Sequence, residues 1–232
     1  MKKKIVALLP IKANSNRVKG KNFRDFCGKP LFRWVLDSLL DVEAIDNIVI
    51  NTDAAHLFTE NNLPSSNRIL IRERKAHICG DDVSMNLILA DDIDNITADM
   101  YLMTHATNPL LSSKTICNGI KQFTIAQSEG IADSLFTVNQ VQSRFYRADC
   151  SAINHNPKQL IPTQNLEPWY EENSNLYIFS QKSFLSTNAR IGIQPMMMQT
   201  PVLESSDIDT EEDWDRAVIT AHYLIQKGLI ST

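Results

Sequence analysis

The sequence predicts an α/β fold built on a doubly wound, mostly parallel sheet. Short apolar runs rich in β-branched residues recur along the chain, and the first, at 5–9, contains no polar residue. Such runs are typical of strands that are buried on both faces of a parallel sheet. Longer segments between them repeat apolar residues at helical spacing. This alternation indicates βαβ units within a single domain that spans residues 1–232.

The predicted elements follow one another in a regular order along the first 138 residues. Strands are predicted at 5–9, 45–51, 68–71, 100–104 and 134–138. Helices are predicted at 31–40, 54–62, 82–94 and from about 112 to 127. Pro30 is well placed to begin the first helix, because proline is favoured in a first helical turn. Asp81 or Asp82 can cap the third helix through a side-chain oxygen.

The pattern changes after residue 139. Residues 140–170 are polar, aromatic and irregular, and they include three prolines. We expect this segment to leave the sheet as antiparallel strands and a long loop. Apolar residues at 176–179 and 196–198 then predict two further strands. The last helix is expected to begin near Thr210, whose segment TEED is similar to a capping box.

A basic loop follows the first predicted strand. Residues 11–22 contain four cations and no carboxylate, together with serine and asparagine side chains. Ligands bind to open α/β sheets at the carboxyl ends of their strands, and this chemistry suits a ligand with several phosphates. Neither a Walker A motif nor the dinucleotide-binding glycine pattern is present, which disfavours kinases and dehydrogenases. A solvated loop without a ligand is the alternative.

Two aspartates near the last helix form a second candidate feature. Asp207 and Asp209 are two residues apart, so their side chains point the same way if the segment is extended. One or two carboxylates, combined with phosphate oxygens of a substrate, are typical ligands of Mg²⁺. The alternative is that both aspartates only cap the last helix.

Polar residues also follow the other predicted strands. His105, after the fourth strand, can bind a substrate, act as a base or make a purely structural hydrogen bond. The segment 164–177 is dense in amides, tyrosines and carboxylates. Such a segment suits either a polyhydroxylated ligand or packing against a partner subunit.

Composition argues against several classes of protein. The net charge of −4 gives no general attraction to nucleic acid. No apolar run approaches the roughly 20 residues of a membrane span, so no membrane partner is expected. The first residues also lack the long apolar stretch of a signal peptide. The four cysteines show no metal-site spacing, which favours reduced thiols and a cytoplasmic location.

Several motifs carry a family resemblance. Residues 10–22 read PIKANSNRVKGKN and are similar to the pattern P-A-R-x-x-S-K-x-x-x-x-K-N. Residues 51–53 are similar to S-T-D, and residues 104–110 to L-Q-P-T-S-P-L. Residues 173–177 are similar to N-G-x-x-Y, and residues 207–213 to D-I-D-T-E-x-D. In this order, the segments resemble the acylneuraminate cytidylyltransferase family, also called the CMP-sialic acid synthetases.

The resemblance implies a nucleotidyltransferase-type fold and a reaction. CTP would bind under the first loop, and the anomeric hydroxyl of a sialic-acid-like 2-keto sugar acid would attack its α-phosphate. The products would be a CMP-sugar and pyrophosphate. Asp207 and Asp209 would bind the cofactor Mg²⁺, while Lys21 would counter charge on the pyrophosphate, which makes these three the implied catalytic residues. The residues implied to bind the nucleotide are Lys12, Asn14, Ser15, Lys21, Asn22, Arg72 and Ser84. The residues implied to bind the sugar are His105, Gln164, Asn173 and Tyr177.

The resemblance also implies a homodimer, in which residues 140–190 form a small inserted subdomain that completes the neighbouring sugar pocket. The sequence departs from the family pattern in four places: Lys12 replaces an arginine, His105 a glutamine and Thr163 an arginine of the sugar side, and the segment NSN at 173–175 replaces Asn-Gly. The acceptor can therefore be a legionaminic, pseudaminic or deoxy-octulosonic relative. Two alternatives stay open: a nucleotidyltransferase with another nucleotide or sugar, and a non-catalytic homologue that binds nucleotide sugars.

Overall fold

A computed structural model describes residues 2–13, 15, 17–61 and 63–231. Its strands are β1 (Ile5–Leu8), β2 (Asp25–Phe26), β3 (Lys29–Pro30), β4 (Asn47–Thr52), β5 (Ile69–Glu73), β6 (Met100–Met103), β7 (Ser134–Val141), β8 (Trp169–Phe179) and β9 (Pro195–Gln199). Its helices are α1 (Leu31–Leu40), α2 (Ala55–Glu60), α3 (Met85–Asn95), α4 (Ser113–Ser128), α5 (Gln181–Thr187) and α6 (Glu211–Gln226). Short 3₁₀ turns lie at Ala76–Ile78, Thr163–Asn165 and Val202–Glu204.

Seven strands form one sheet in the order β5-β4-β1-β6-β8-β7-β9, while β2 and β3 make a separate small hairpin. β8 is antiparallel to both of its neighbours, and the other pairs of adjacent strands are parallel. The predicted doubly wound, mostly parallel sheet is therefore confirmed. The chain passes from β1 outward to β4 on one side and to β6 on the other. A crevice opens at the carboxyl end of β1, where such a sheet reverses its direction of winding.

Alternating residues of β1 explain why the whole strand is apolar. Ala7 packs in a core with α1, α2 and α4, whereas Val6 and Leu8 pack in a core with α3 and α5 on the opposite face. Both faces of the strand are thus covered, and none of these three residues is exposed to solvent. α6 packs outside this frame, where Trp214 meets Phe26 of the hairpin edge to face.

The third helix starts later than the sequence predicted. Its cap is Ser84, which accepts a hydrogen bond from the Asn86 N–H, and neither Asp81 nor Asp82 caps it. Asp81 instead pairs with Lys12 across the crevice. The predictions for the ends of two other helices are confirmed. Pro30 directly precedes α1, and Thr210 forms a reciprocal capping box with Asp213 at the start of α6.

β8 is longer than the four residues expected for it. Its polar first half pairs with β7 alone, and the register between the two strands shifts after Phe136. Residues 142–168, between β7 and β8, form the expected long loop, which leaves large apolar side chains such as Leu160 exposed.

All four cysteines are free thiols. Within the described residues, no helix is long and apolar enough to cross a membrane.

Candidate active site

A cavity of about 640 Å³ opens at the carboxyl ends of β1, β5 and β6. The start of α3, Ser174 of β8, Arg190 after α5 and the segment before α6 also contribute to its wall. Seven residues predicted from the sequence line it: Lys12, Ser15, Lys21, Asn22, His105, Asp207 and Asp209. The predicted basic loop and the predicted aspartate pair, almost 200 residues apart in sequence, therefore meet in one space.

Lys21 joins the basic loop to the aspartate segment. Its ammonium group donates to the Ile208 carbonyl at 2.5 Å and lies 3.3 Å from Asp209 Oδ1. Burial lowers the pKa of Lys21, and the nearby carboxylate of Asp209 opposes that shift. Asn22 ties the loop to itself, since its side-chain NH₂ donates to the Lys12 carbonyl at 2.9 Å. This hydrogen bond links the two ends of the loop.

The aspartate segment is extended, as expected from its spacing. The Ile208 N–H donates to the Thr107 carbonyl at 2.9 Å, and the Ile208 side chain is fully buried. Asp207 and Asp209 on either side of it both line the cavity. The alternative that these aspartates cap the last helix is wrong, because Thr210 and Asp213 supply the capping hydrogen bonds.

The two carboxylates differ in their partners. Asp209 Oδ1 forms an ion pair with Arg17, 2.9 Å from one of its terminal nitrogens, in addition to its ion pair with Lys21. Asp207 Oδ1 is buried and has no hydrogen-bond partner among the described residues. Burial raises the pKa of Asp207, and a hydrogen bond from Thr107 opposes this. A buried carboxylate oxygen without a donor is costly, and a bound cation would satisfy it.

This donor set fits Mg²⁺ when a substrate supplies the remaining oxygens. Within the described part of the chain, no group of three or more histidine, cysteine, aspartate or glutamate side chains could hold a metal ion by itself. Asp207 and Asp209 could hold such an ion together with phosphate oxygens of a substrate.

The nucleotide side of the cavity differs from the prediction at one arginine. Arg72 does not line the cavity, because its guanidinium group pairs with Asp92 and, at 3.0 Å, with Asp91 of α3. Arg74, just beyond the end of β5, lines the cavity instead. Its Nε donates to Asn51 Oδ1 at 2.9 Å, and one terminal nitrogen donates to the Asn51 carbonyl at 2.7 Å. The sequence spacing does not distinguish the two arginines, because residues two apart in a strand point to the same face of the sheet.

The remaining nucleotide-side predictions fall into two groups. Ser84 caps α3 between the cavity-lining residues Val83 and Met85, so it stands at the rim of the cavity. Asn14 lies outside the described residues.

A buried network supports Arg74 from behind. The Asn51 side-chain NH₂ donates to Asp92 Oδ1 at 2.8 Å, and Arg72 pairs with the same carboxylate. Burial raises the pKa of Asp92 to about 6, although both partners favour its charged form. The other oxygen of Asp92 is buried without a partner among the described residues. The network is therefore sensitive to the protonation of Asp92.

His105 is the only predicted sugar-side residue that lines the described cavity. Its Nε2 lies 3.2 Å from a terminal nitrogen of Arg190, and because that nitrogen can only donate, Nε2 is the acceptor. The proton of the neutral ring is consequently on Nδ1. Burial and the adjacent Arg190 lower the pKa of His105 to about 3. A neutral histidine whose lone pair faces a cation is poorly suited to act as a base.

The other three sugar-side predictions lie outside the cavity lining. Gln164 is in an exposed 3₁₀ turn, where its carbonyl accepts from Gln142. Asn173 is buried, and its NH₂ donates to Thr200 Oγ1 at 2.7 Å, which anchors β8. Tyr177 is also buried and donates its hydroxyl to a carboxylate.

Several cavity residues were missed by reasoning from the sequence. They include the polar and charged residues Arg74, Asp81, Thr107, Ser174 and Arg190. Ser174 has a φ of +56° and occupies the glycine position of the N-G-x-x-Y pattern, which is a usable signal. Arg190 follows α5 in a segment that belongs to no recognised motif, so no local pattern could have identified it.

The fold and the site define a nucleotidyltransferase: a basic loop and a carboxylate pair meet at the switch point of a parallel sheet. The chain belongs to the cytidylyltransferase family, whose model matches residues 6–226. It is therefore an enzyme of that class, and the cytidylyltransferase resemblance seen in the sequence is confirmed.

Individual relatives are distant in sequence. The chain is 22% identical to the CMP-N,N'-diacetyllegionaminic acid synthase of Legionella pneumophila, over 91% of this chain and 93% of that protein. It is 25% identical to a 3-deoxy-manno-octulosonate cytidylyltransferase of Christiangramia forsetii, but that match spans 53% of this chain and 46% of the relative. A solved CMP:2-keto-3-deoxy-manno-octonic acid synthetase, complexed with CTP, has the same fold, with a TM-score of 0.65 and 13% identity over 95% of this chain and 99% of that one.

The buried carboxylate of Asp92 predicts a specific pH dependence of stability. Its pKa of about 6 in the folded state exceeds the value of 3.8 in the unfolded state, so the free energy of unfolding of the wild type falls as pH rises between those values. Asp92→Asn cannot titrate. Its free energy of unfolding should therefore rise relative to wild type from pH 4 to 6.5, by up to about 3 kcal/mol. Urea denaturation at several pH values measures this, with Asp94→Asn on the same helix as the matched control. A difference that stays constant or falls with pH would contradict the burial argument.

Substitution of Arg74 should weaken nucleotide binding much more than substitution of Arg72. Arg74→Lys should weaken binding of CTP at least about tenfold, because lysine lacks the planar fork that both grips Asn51 and faces the cavity. Arg72→Lys should change it less than about threefold, since that side chain is directed to α3. Isothermal titration calorimetry with CTP and Mg²⁺ measures both. A larger effect from Arg72→Lys would restore the assignment made from the sequence.

Proposed function

We propose that this enzyme transfers CMP from CTP to the anomeric hydroxyl of a sialic-acid-like 2-keto sugar acid, with release of pyrophosphate, and that it depends on Mg²⁺. The observation that carries the proposal is the meeting of Lys12, Lys21 and the orphaned carboxylate oxygen of Asp207 in one cavity. The full-length similarity to a CMP-N,N'-diacetyllegionaminic acid synthase supports a nine-carbon acceptor.

The cations of the first loop would hold the triphosphate. Lys12, Ser15 and Arg17 line the cavity and can donate to phosphate oxygens, while Asn22 is fixed beside them. Lys12 and Arg17 are already paired with carboxylates. Phosphates would compete for these cations, so binding exchanges one set of anions for another.

The chemistry requires an in-line displacement. A bond forms between the anomeric oxygen and the α-phosphorus, the proton of the hydroxyl passes to water, and the bond from that phosphorus to the β-phosphate oxygen breaks, so that pyrophosphate leaves. Lys21, buried between the loop and Asp209, would stabilise charge that develops on the pyrophosphate. Mg²⁺, held by Asp207 and Asp209, would neutralise phosphate charge during the transfer. No side chain is needed as a nucleophile, and positioning with charge neutralisation supplies the catalysis.

A homodimer and a cytoplasmic location belong to the same proposal. Residues 142–168 expose Ile153, Leu160 and Ile161, a surface that suits a second copy of the chain. The inserted segment 140–190 would then form the dimer contact and complete the partner's sugar pocket. The free thiols fit a reducing compartment.

An eight-carbon acid is the second candidate acceptor. Two of the similar proteins carry 3-deoxy-manno-octulosonate or 2-keto-3-deoxy-manno-octonic acid in their names. Three of the four residues that the family resemblance implies for the sugar do not line the cavity, which leaves an eight-carbon acid as a candidate.

A pyrophosphate-release assay tests the proposed function. The protein is supplied with Mg²⁺, each of the four common nucleoside triphosphates in turn, and four acceptors: N-acetylneuraminic, legionaminic, pseudaminic and 3-deoxy-octulosonic acid. We expect activity with CTP and the highest rate with one of the three nine-carbon acids. Activity only with ATP, GTP or UTP, or with none of the acids, would refute the proposal. A highest rate with the octulosonic acid would select the second candidate.

Asp207→Asn tests the metal pair. We expect kcat to fall at least about a hundredfold, because the amide cannot neutralise a cation. The melting temperature should stay equal or rise, since the substitution removes a buried charge that lacks a hydrogen bond at one oxygen. Loss of activity is thereby separated from loss of folding. Asp215→Asn, exposed on α6, is the matched control. An unchanged rate for Asp207→Asn would remove this residue from the metal site.

A further inference from the structure

Arg190 lines the cavity from the segment after α5, outside the basic loop and the aspartate segment. Its guanidinium carbon lies 3.8 Å from the centre of the Tyr177 ring, a stacked cation–π contact. One terminal nitrogen donates to His105 Nε2 at 3.2 Å, and the other donates to Glu172 Oε1 at 3.2 Å. Its backbone N–H donates to Asn86 Oδ1 at 3.4 Å. The side chain is therefore held from several directions and still lines the cavity.

The stacking leaves hydrogen-bond donors of Arg190 available. A guanidinium group has five N–H donors in one plane, and stacking on a ring occupies its face but not its edge. Within the described residues, no atom accepts from Nε of Arg190. Glu172 is half exposed and also accepts from the Tyr177 hydroxyl, so its charge is shared. The edge of Arg190 can consequently serve a second anion.

The cations of the described cavity lining come from different parts of the chain. The other cations in the described lining belong to the first loop or to the end of β5: Lys12, Arg17, Lys21 and Arg74. Arg190 comes from the segment after α5 and lies beside His105. Because His105 is neutral, the positive charge of the Arg190–His105 pair is on Arg190. Lys21 and Asp209 line the same cavity and lie within electrostatic range of His105, the residue that Arg190 contacts.

We propose that Arg190 binds the carboxylate of the acceptor and thereby orients its anomeric hydroxyl toward the α-phosphate. The inference rests on the proposed function and adds the residue that selects an acid. In a 2-keto sugar acid, the carboxylate is attached directly to the anomeric carbon. A group that holds the carboxylate by two N–H donors therefore fixes the attacking oxygen a few bonds away. The carboxylate of the substrate would take over Arg190 from Glu172.

The test compares an acid with its ester. Wild type, Arg190→Met and Arg190→Lys are assayed for pyrophosphate release with CTP, Mg²⁺ and whichever of the four acids reacts fastest, and again with the methyl ester of that acid. We expect Arg190→Met to raise KM for the acid at least about tenfold and to leave KM for CTP within about twofold. The preference of wild type for the acid over the ester should disappear in Arg190→Met and return in part in Arg190→Lys.

Arg33→Met is the matched control for loss of an arginine. Both side chains are 21% exposed and paired with a carboxylate, but Arg33 is on α1, away from the cavity lining. This variant should keep the acid-over-ester preference. If Arg190→Met fails to bind CTP, the ester comparison on Arg190→Lys decides, with a reduced preference expected.

Two outcomes are distinguishable failures. An undiminished preference for the acid in Arg190→Met would overturn the role of Arg190 while the proposed function stands. A wild-type protein that transfers CMP to none of the four acids would refute the proposed function, and the role of Arg190 with it.

Discussion

The contact between Lys21 and the segment around Asp209 is the interaction on which the site depends. A buried ammonium group needs an anion or carbonyl oxygens, and Lys21 finds both, in Asp209 and in the Ile208 carbonyl. The same contact fixes the basic loop after β1 and the aspartate pair before α6. Without it, Asp209 would keep only the more exposed Arg17 as a partner. The sheet supplies the crevice, and this contact closes it on one side.

The sheet and the two charged segments could be predicted because local chemistry determines them. The apolar run at 5–9 has no polar face, which requires cover on both sides and hence helices on both faces of the sheet. Ligand loops then follow from topology, since parallel strands end at one edge. The apolar Ile208 between Asp207 and Asp209 predicts the orientation of the segment, because the apolar side chain is buried in the core while its two neighbours face the cavity.

The acceptor side could not be predicted in the same way, because tertiary packing decides which polar residue faces the cavity. Asn173 has an amide side chain of the kind that binds sugars, but its NH₂ group donates to Thr200 and thereby anchors β8. Arg72 and Arg74 are alike in sequence, and only the position of α3 shows that the carboxylates Asp91 and Asp92 capture the first. Arg190 reaches the site from the segment after α5, which no motif marks.

Calorimetric titration of the wild-type protein with CTP, CDP and CMP, each with Mg²⁺ and with EDTA, tests most directly whether the loop cations and the aspartate pair act together on a nucleotide. The account predicts affinity that falls from CTP to CDP to CMP, since each lost phosphate leaves loop cations without a partner. It also predicts that EDTA weakens CTP most, because Asp207 and Asp209 repel phosphates in the absence of a cation. Equal affinity for the three nucleotides, or CTP binding that Mg²⁺ does not change, would contradict it.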